Sequence, residues 1–176
     1  IFNAPLDQPD HAEKAVQCAL AMDRISKDFI AKMSARVIEF GVTRIGINTG
    51  RAIVGNFGGS GRFDYTAHGD AINTAARMEG VNKHLGTQIC ISGTTVAQCP
   101  NHFFRPIGAL ILKGKTEAIE AFEPMTKEES KSPLTKRYLE AFERLTRADP
   151  KAEELFASLK ADYPDDALVK LHYERI

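Results

Sequence analysis

No apolar run in these 176 residues approaches the roughly 18 needed to cross a bilayer, so the sequence gives no reason to expect membrane contact from this segment. Net charge is absent too: 23 basic residues balance 23 acidic ones. Nothing global then draws the chain to nucleic acid or an anionic membrane, and anion binding has to come from a local arrangement. The three cysteines, Cys18, Cys90 and Cys99, are odd in number and form no C-x-x-C pair. That excludes a disulfide framework or zinc knuckle and points to free thiols in a reducing, cytoplasmic compartment. The histidines are scattered, without a metal-binding pair at helical spacing. With 43% hydrophobic and 26% charged residues, disorder is excluded as well.

What is present is an interleaving of helix and strand signals. Asp10 followed by Glu13 reads as a capping box, and Ala15, Ala19, Met22 and Ile25 continue at helical spacing. "VTRIGINTG", "AIVGNF" and "RFDYTA" read as strands, with "GGSG" a glycine turn between the last two. Asp70 opens a second helix ending near Asn82 to Leu85; "TQICIS" is a short strand and "GTTVAQC" a brief helix. "ALILKGKTEAIEAFEP" reads as two strands about a Lys-Gly-Lys turn. From these signals the first 126 residues are α/β or α+β. "TKEESKSP" suits a linker, and residues 127–176 read as short amphipathic helices punctuated by Pro150 and Pro164, a TPR-like extension expected to pack on the main domain. The opening "IFNAPL" looks like the end of a strand, which leads us to expect a domain that starts further upstream.

Several residues are candidates for chemistry. Asn73 and Arg77 lie four apart on the second helix and share a face, although an ordinary polar face is the simpler account of that pair alone. Lys113 and Lys115 flank Gly114, a geometry able to meet phosphate as point charges or to serve merely as a solvated turn. "GNFGGSGR" lacks the G-x-x-x-x-G-K-[ST] order of a phosphate loop. Asp7, Asp10 and His11 are discounted as a metal cluster, because helix capping accounts for Asp10.

The combination is more specific than its parts. "RIGINTGRAIVGNFGGSGRFDYTAHGDAINTAARME", Arg44 to Glu79, resembles the core of class III nucleotidyl cyclase catalytic domains, bacterial adenylate cyclases most of all. Gly69, Asp70, Ile72, Asn73, Ala75, Ala76, Arg77, Met78 and Glu79 match the helix-opening G-D-x-[IV]-N-x-A-[AS]-R-[ML]-E pattern. Asn48, Thr49, Gly50, Gly55 and Asn56 match the upstream hairpin, and Leu112 to Gly114 the L-K-G turn. The likeness spans about residues 1 to 124.

The resemblance implies an α+β, ferredoxin-like βαβ domain, shortened at its N-terminus, that converts a nucleoside triphosphate to a 3′,5′-cyclic monophosphate and pyrophosphate. By the family pattern Asn73 orients the ribose, Arg77 meets the α-phosphate and Lys113 the terminal phosphates. The base is read seven positions before the asparagine, at Thr66, with the Ala67 carbonyl a second acceptor for an adenine amino group. Threonine there accompanies ATP, whereas cysteine accompanies GTP; threonine-bearing members also often respond to bicarbonate. Two ions, Mg²⁺ or Mn²⁺, are implied, held by aspartates whose motifs precede anything in this chain. None of Asp7, Asp10 or Asp23 matches those motifs, so no metal role is carried onto them. A head-to-tail homodimer is implied, with an upstream sensor or membrane domain compatible with it. The expectation is an adenylate cyclase whose isolated fragment is inactive; a silent cyclase-like module that dimerises or binds nucleotide is the alternative.

Overall fold

A long amphipathic run near the N-terminus makes the first element of the computed structural model, which describes residues 1–59 and 61–176. Helix α1 (His11–Ser34) starts after Asp10 as the sequence predicts, but no capping box forms there. The Asp10 carboxylate pairs with Lys14 at 2.9 Å, and Glu13 Oε1 accepts from Asn101 Nδ2 at 3.0 Å. The buried stripe is also displaced. Ala12, Val16 and Ala19 face the interior, whereas Met22 is 50% and Ile25 64% exposed. The middle of α1, from Gln17 to Asp28, lines one side of a cavity of about 780 Å³, on a face that Met22 and Ile25 do not share.

Strand β1 (Ile45–Ile47) is shorter than its sequence signal. Strands β2 (Ile53–Gly59) and β3 (Arg62–His68) form a two-stranded antiparallel sheet; the glycine turn predicted between them contains Ser60, which lies outside the described residues. Helix α2 (Asp70–Leu85), strand β4 (Ile89–Ser92) and the single-turn helix α3 (Gly93–Val96) follow the predicted order. Strand β5 (Phe103–Leu110) begins earlier than its predicted start at Ala109, and β6 (Ile119–Met125) returns beside it. Pro106 hid that strand. A proline cannot donate to a ladder and is tolerated because β5 is an edge strand with a bulge between Pro106 and Gly108.

The main sheet has the order β1-β4-β6-β5. Parallel pairing of β1 with β4, Ile45 opposite Ile89, requires a crossover, and α2 supplies it. All four residues of β4 are buried, so its side chains alternate between two cores. Ile89 and Ile91 meet α1, while Cys90 faces α2 and the C-terminal helices. The result is an α+β domain with a helical extension.

The segment "TKEESKSP", predicted to be a linker, is instead structured. Helix α4 (Lys127–Ser130) carries the capping box that α1 lacks: Thr126 N donates to Glu129 Oε2 at 2.7 Å, and Glu129 N to Thr126 Oγ1 at 3.2 Å. Thr135 Oγ1 donates to the Glu129 carbonyl at 2.7 Å and ties α4 to α5 (Pro133–Thr146). Ser132 caps α5, with Pro133 in its first turn, where the missing N–H costs nothing. Helices α6 (Lys151–Asp162) and α7 (Ala167–Tyr173) complete the chain. Tyr138, Phe156 and Leu168 are each 0% exposed and join Met78, Ile107 and Ala121 in one core. Each such side chain contributes about 1.5–3 kcal/mol by burial, enough to hold the extension against the sheet.

His172 of α7 sits in that core among Tyr138, Phe142 and Phe156, 3% exposed, with Nε2 unpartnered. Burial, then repulsion from Arg175 and Arg105, lowers its pKa from 6.5 to about 4. The unfolded chain takes up this proton near pH 6.5, while the folded chain resists until about pH 4. Stability from His172 is therefore fully present above pH 6.5 and declines as pH falls to 4, by up to about 3 kcal/mol. Urea melts across that window are expected to flatten in His172→Leu; an unchanged slope would show that other groups carry the acid sensitivity.

Candidate functional site

The exposed face of α2 is set by what the helix buries. Ala71, Thr74, Met78, Asn82 and Leu85 face inward at helical spacing. Asn82 is fully buried: its Nδ2 donates to the Ile45 carbonyl at 3.0 Å and the Met78 carbonyl at 3.1 Å, and Thr87 Oγ1 donates to its Oδ1 at 2.6 Å. Gly46 of β1 completes the docking, because a Cβ there would fall 2.2 Å from the Ala75 carbonyl oxygen. With that face fixed, Asn73 is exposed and Arg77 half-buried, one turn apart on the opposite side.

The motif residues Asn48 and Thr49 turn out to brace this start. Asn48 Nδ2 donates to the Ala71 carbonyl at 3.1 Å, and Thr49 Oγ1 lies 2.8 Å from Thr95 Oγ1 on α3. Asn48 thus holds the segment after β1 against the first turn of α2, and Thr49 ties it to α3.

Between β5 and β6 the chain makes the Lys-Gly-Lys turn. Lys115 N donates to the Leu112 carbonyl at 2.9 Å, and Gly114 adopts φ +74°, a left-handed conformation that costs other residues about 1–2 kcal/mol. Leu112 is 5% exposed and roots the turn in the core. A Cβ on Gly114 would sit 3.4 Å from Arg77 Nη2 and 3.7 Å from its Cζ, so the guanidinium lies directly against the turn. Lys113 is exposed beside it. Lys115 Nζ pairs with the Asp70 carboxylate and links the turn to the first residue of α2. Sequence reasoning did not assign that pair, although the K-G-K spacing and the helix-opening Asp70 both signalled it.

Thr66 and Ala67 come from a different element. On β3 they oppose Gly55 and Val54 of β2; Thr66 is half-buried and Ala67 6% exposed. Arg77 and the Lys113 turn are thus brought together, with Asn73 one turn along. Among the described residues no hydrogen bond or ion pair joins Thr66 or Ala67 to them. Asn73 and Lys113 are exposed, Arg77 and Thr66 half-buried and Ala67 buried, and the 780 Å³ cavity beside α1 is lined by none of them.

The arrangement offers cations and hydrogen-bond donors for a polyanion. No cysteine belongs to it: Cys18 is exposed on α1, and Cys90 and Cys99 are buried, burial pushing the Cys90 thiol up to about 12. Among the described residues no group of three or more His, Cys, Asp or Glu side chains is placed to hold a metal ion, so the residues present do not fit a two-ion centre. No helix among them is long and apolar enough to cross a membrane.

Residues 1–123 match the adenylate and guanylate cyclase catalytic domain, and the chain belongs to that family. It is 42% identical over 124 residues to Adenylate cyclase 1 of Rhizobium meliloti, covering 70% of this chain but only 19% of that protein. Among solved structures, the adenylyl cyclase CyaB from P. aeruginosa superposes with a TM-score of 0.64 at 29% identity, over 72% of this chain and 65% of that one. The guanylyl cyclase Cya2 gives 0.61 at 27% identity, over 70% and 62%. The chain spans about a fifth of the length of the Rhizobium protein.

Gly114→Ala is expected to destabilise the fold by about 1–2 kcal/mol in urea denaturation, because a side chain is strained at its left-handed φ of +74°. Asp70→Asn should cost less than about 1 kcal/mol, since the Asp70 side chain is 75% exposed and such pairs contribute little. Equal effects would show that the ion pair, not the backbone, sets the turn.

Proposed function

We propose that this chain supplies the ribose- and phosphate-handling half of an adenylate cyclase site. The observation that carries the reading is the seating of Arg77 against Gly114, which sets a planar cation beside Lys113 and one helical turn from Asn73. In the reaction the ribose 3′-oxygen attacks the α-phosphorus of ATP and pyrophosphate leaves. Asn73 donates to the ribose and holds the attacking oxygen in line. Arg77 offers several donors in one plane to the non-bridging α-phosphate oxygens as charge builds on them. Lys113 neutralises the terminal phosphates and so favours departure of pyrophosphate. Thr66 Oγ1 and the Ala67 carbonyl meet the adenine edge, the hydroxyl serving as donor or acceptor as the base requires.

Divalent ions, Mg²⁺ or Mn²⁺, belong to the same proposal, with ligands from aspartates outside the described residues. In a head-to-tail homodimer one protomer would contribute those carboxylates and its partner Asn73 and Arg77, giving two equivalent sites. Residues 1–126 form the cyclase domain in this reading and 127–176 a TPR-like extension. A cytoplasmic setting fits, with or without an upstream sensor or membrane domain. The names of the relatives, adenylate cyclases among them, support the reading, and Thr66 directs it to ATP over GTP.

Assay of the full-length natural protein with ATP and Mg²⁺ or Mn²⁺ is expected to yield cyclic AMP, and the isolated 176-residue chain none. Arg77→Ala should lower turnover by about 10²–10³-fold, with apparent ATP affinity changed far less. Absence of cyclic AMP under every condition would leave a silent nucleotide-binding module. Equal turnover of GTP would refute the role given to Thr66.

A further inference from the structure

The family match ends at residue 123, yet side chains beyond it enter the core that supports Arg77. Arg105 and Glu123 face each other on β5 and β6, and Arg105 Nε donates to Glu123 Oε2 at 2.7 Å. The other arm of the guanidinium, Nη1, donates to Asp166 Oδ2 at 2.9 Å. Asp166 is the N-cap of α7, where its Oδ1 accepts from Val169 N at 2.9 Å. Arg105 is 9% exposed, and its Cζ lies 5.1 Å from the centroid of the Tyr138 ring on α5. Tyr138 in turn donates its hydroxyl proton to the Pro106 carbonyl at 2.7 Å. One buried cation therefore ties β5, β6, α5 and α7 together.

The residue after Asp166 reaches α2. Ala167 abuts Gly86, the C-cap of α2, closely enough that a Cβ on Gly86 would lie 2.8 Å from that of Ala167. Leu168 and Val169 share a core with Met78, the neighbour of Arg77, and with Leu112, the neighbour of Lys113. The start of α7 thus touches the hairpin through Arg105 and α2 through Gly86. These are the two elements that must converge for Arg77 to rest on Gly114.

We propose that the C-terminal helices clamp α2 to the β5–β6 hairpin, and that Arg105 is a positioning residue which, through Asp166, sets Arg77 against the Lys113–Lys115 turn. The functional part of this proposal rests on the cyclase reading. Arg105 touches no substrate: Leu110, where the hairpin leaves the sheet, is five residues away, about 16 Å of strand. A buried ion pair of this kind adds little net stability over apolar packing. Its use here is geometric, since a planar fork with two partners fixes both strands relative to α7.

The test pairs hydrogen exchange with kinetics. Exchange at the Lys115 amide, which donates to Leu112, is followed in the wild-type chain, Asp166→Ala and Asp166→Asn. Asparagine keeps an oxygen for the Val169 amide, so it separates capping of α7 from the charged link to Arg105. In variants with native near-UV circular dichroism, exchange at Lys115 is expected to rise about tenfold or more. In the full-length protein kcat is expected to fall about tenfold, with KM for ATP changed by less than about threefold. Unchanged exchange at Lys115 overturns the clamp, and faster exchange with full kcat overturns its catalytic role. If the wild-type protein makes no cyclic AMP, exchange still decides the clamp and only the cyclase reading fails. Should neither variant fold, the wild type in mild urea decides: the Lys115 and Val169 amides must open together, and independent opening overturns the proposal.

Discussion

The direction in which Asn73 and Arg77 point depends on how α2 is seated on β1. Two features set that seat: a backbone contact at Gly46 that no side chain would permit, and the buried Asn82 amide that bonds to the Ile45 carbonyl on the strand. The amide is fully buried with its bonds satisfied, so rotating or sliding the helix would orphan it at a cost of about 1–3 kcal/mol. The apolar stripe alone would tolerate a small rotation; the hydrogen bonds and the glycine contact do not. Asn73 and Arg77 inherit their direction from this constraint. A polar face on an otherwise apolar helix is thus the residue of a packing decision made on its other side.

Arginine is used in two distinct ways. Arg105 is buried, and its burial cost is offset by Glu123 and Asp166 together with the Tyr138 ring. Arg77 has no ion-pair partner among the described residues and keeps its donors free beside a backbone turn. In a chain with zero net charge, that local contrast is the source of any attraction for phosphate. Lys115 is engaged by Asp70, whereas Lys113 stands exposed on the other side of Gly114.

Much of this was legible in the sequence because it is local. Asp70, the periodicity of α2, the Gly114 turn and the helices after Pro133 are signalled within a few residues, and the structure places them as read. Features that depend on distant partners were not legible. Asp10 and Glu13 have the spacing of a capping box, yet Lys14 and Asn101 take their carboxylates. Met22 and Ile25 continue a helical stripe, but burial requires an opposing surface, and both side chains are left exposed to solvent. "TKEESKSP" reads as a linker by composition, although Thr126 and Glu129 have the three-residue offset of a cap. Strand β5 was shortened by a proline that only an edge position excuses. The Arg105 network spans 61 residues to Asp166 and has no local signal at all.

The proposed base and phosphate ends of the site also differ in how they are supported. Asn73, Arg77 and Lys113 stand on elements rooted in the main core by Met78 and Leu112. Thr66 and Ala67 stand on a two-stranded sheet not hydrogen-bonded to the four-stranded one, with Ile53 72% and Phe63 70% exposed. This hairpin packs little, although β3 runs into the first residue of α2 through Gly69 alone. Phosphate chemistry gains from rigidity, since donors must meet the transition state without reorganising. Choice of base asks only for a few hydrogen bonds at the edge of a ring. In the proposed reading, this division puts the choice of purine on the hairpin. It accords with the likeness of this chain to both an adenylyl and a guanylyl cyclase, at similar TM-scores of 0.64 and 0.61. The fold therefore supports the family, and in the proposed reading the choice of base rests on the hairpin.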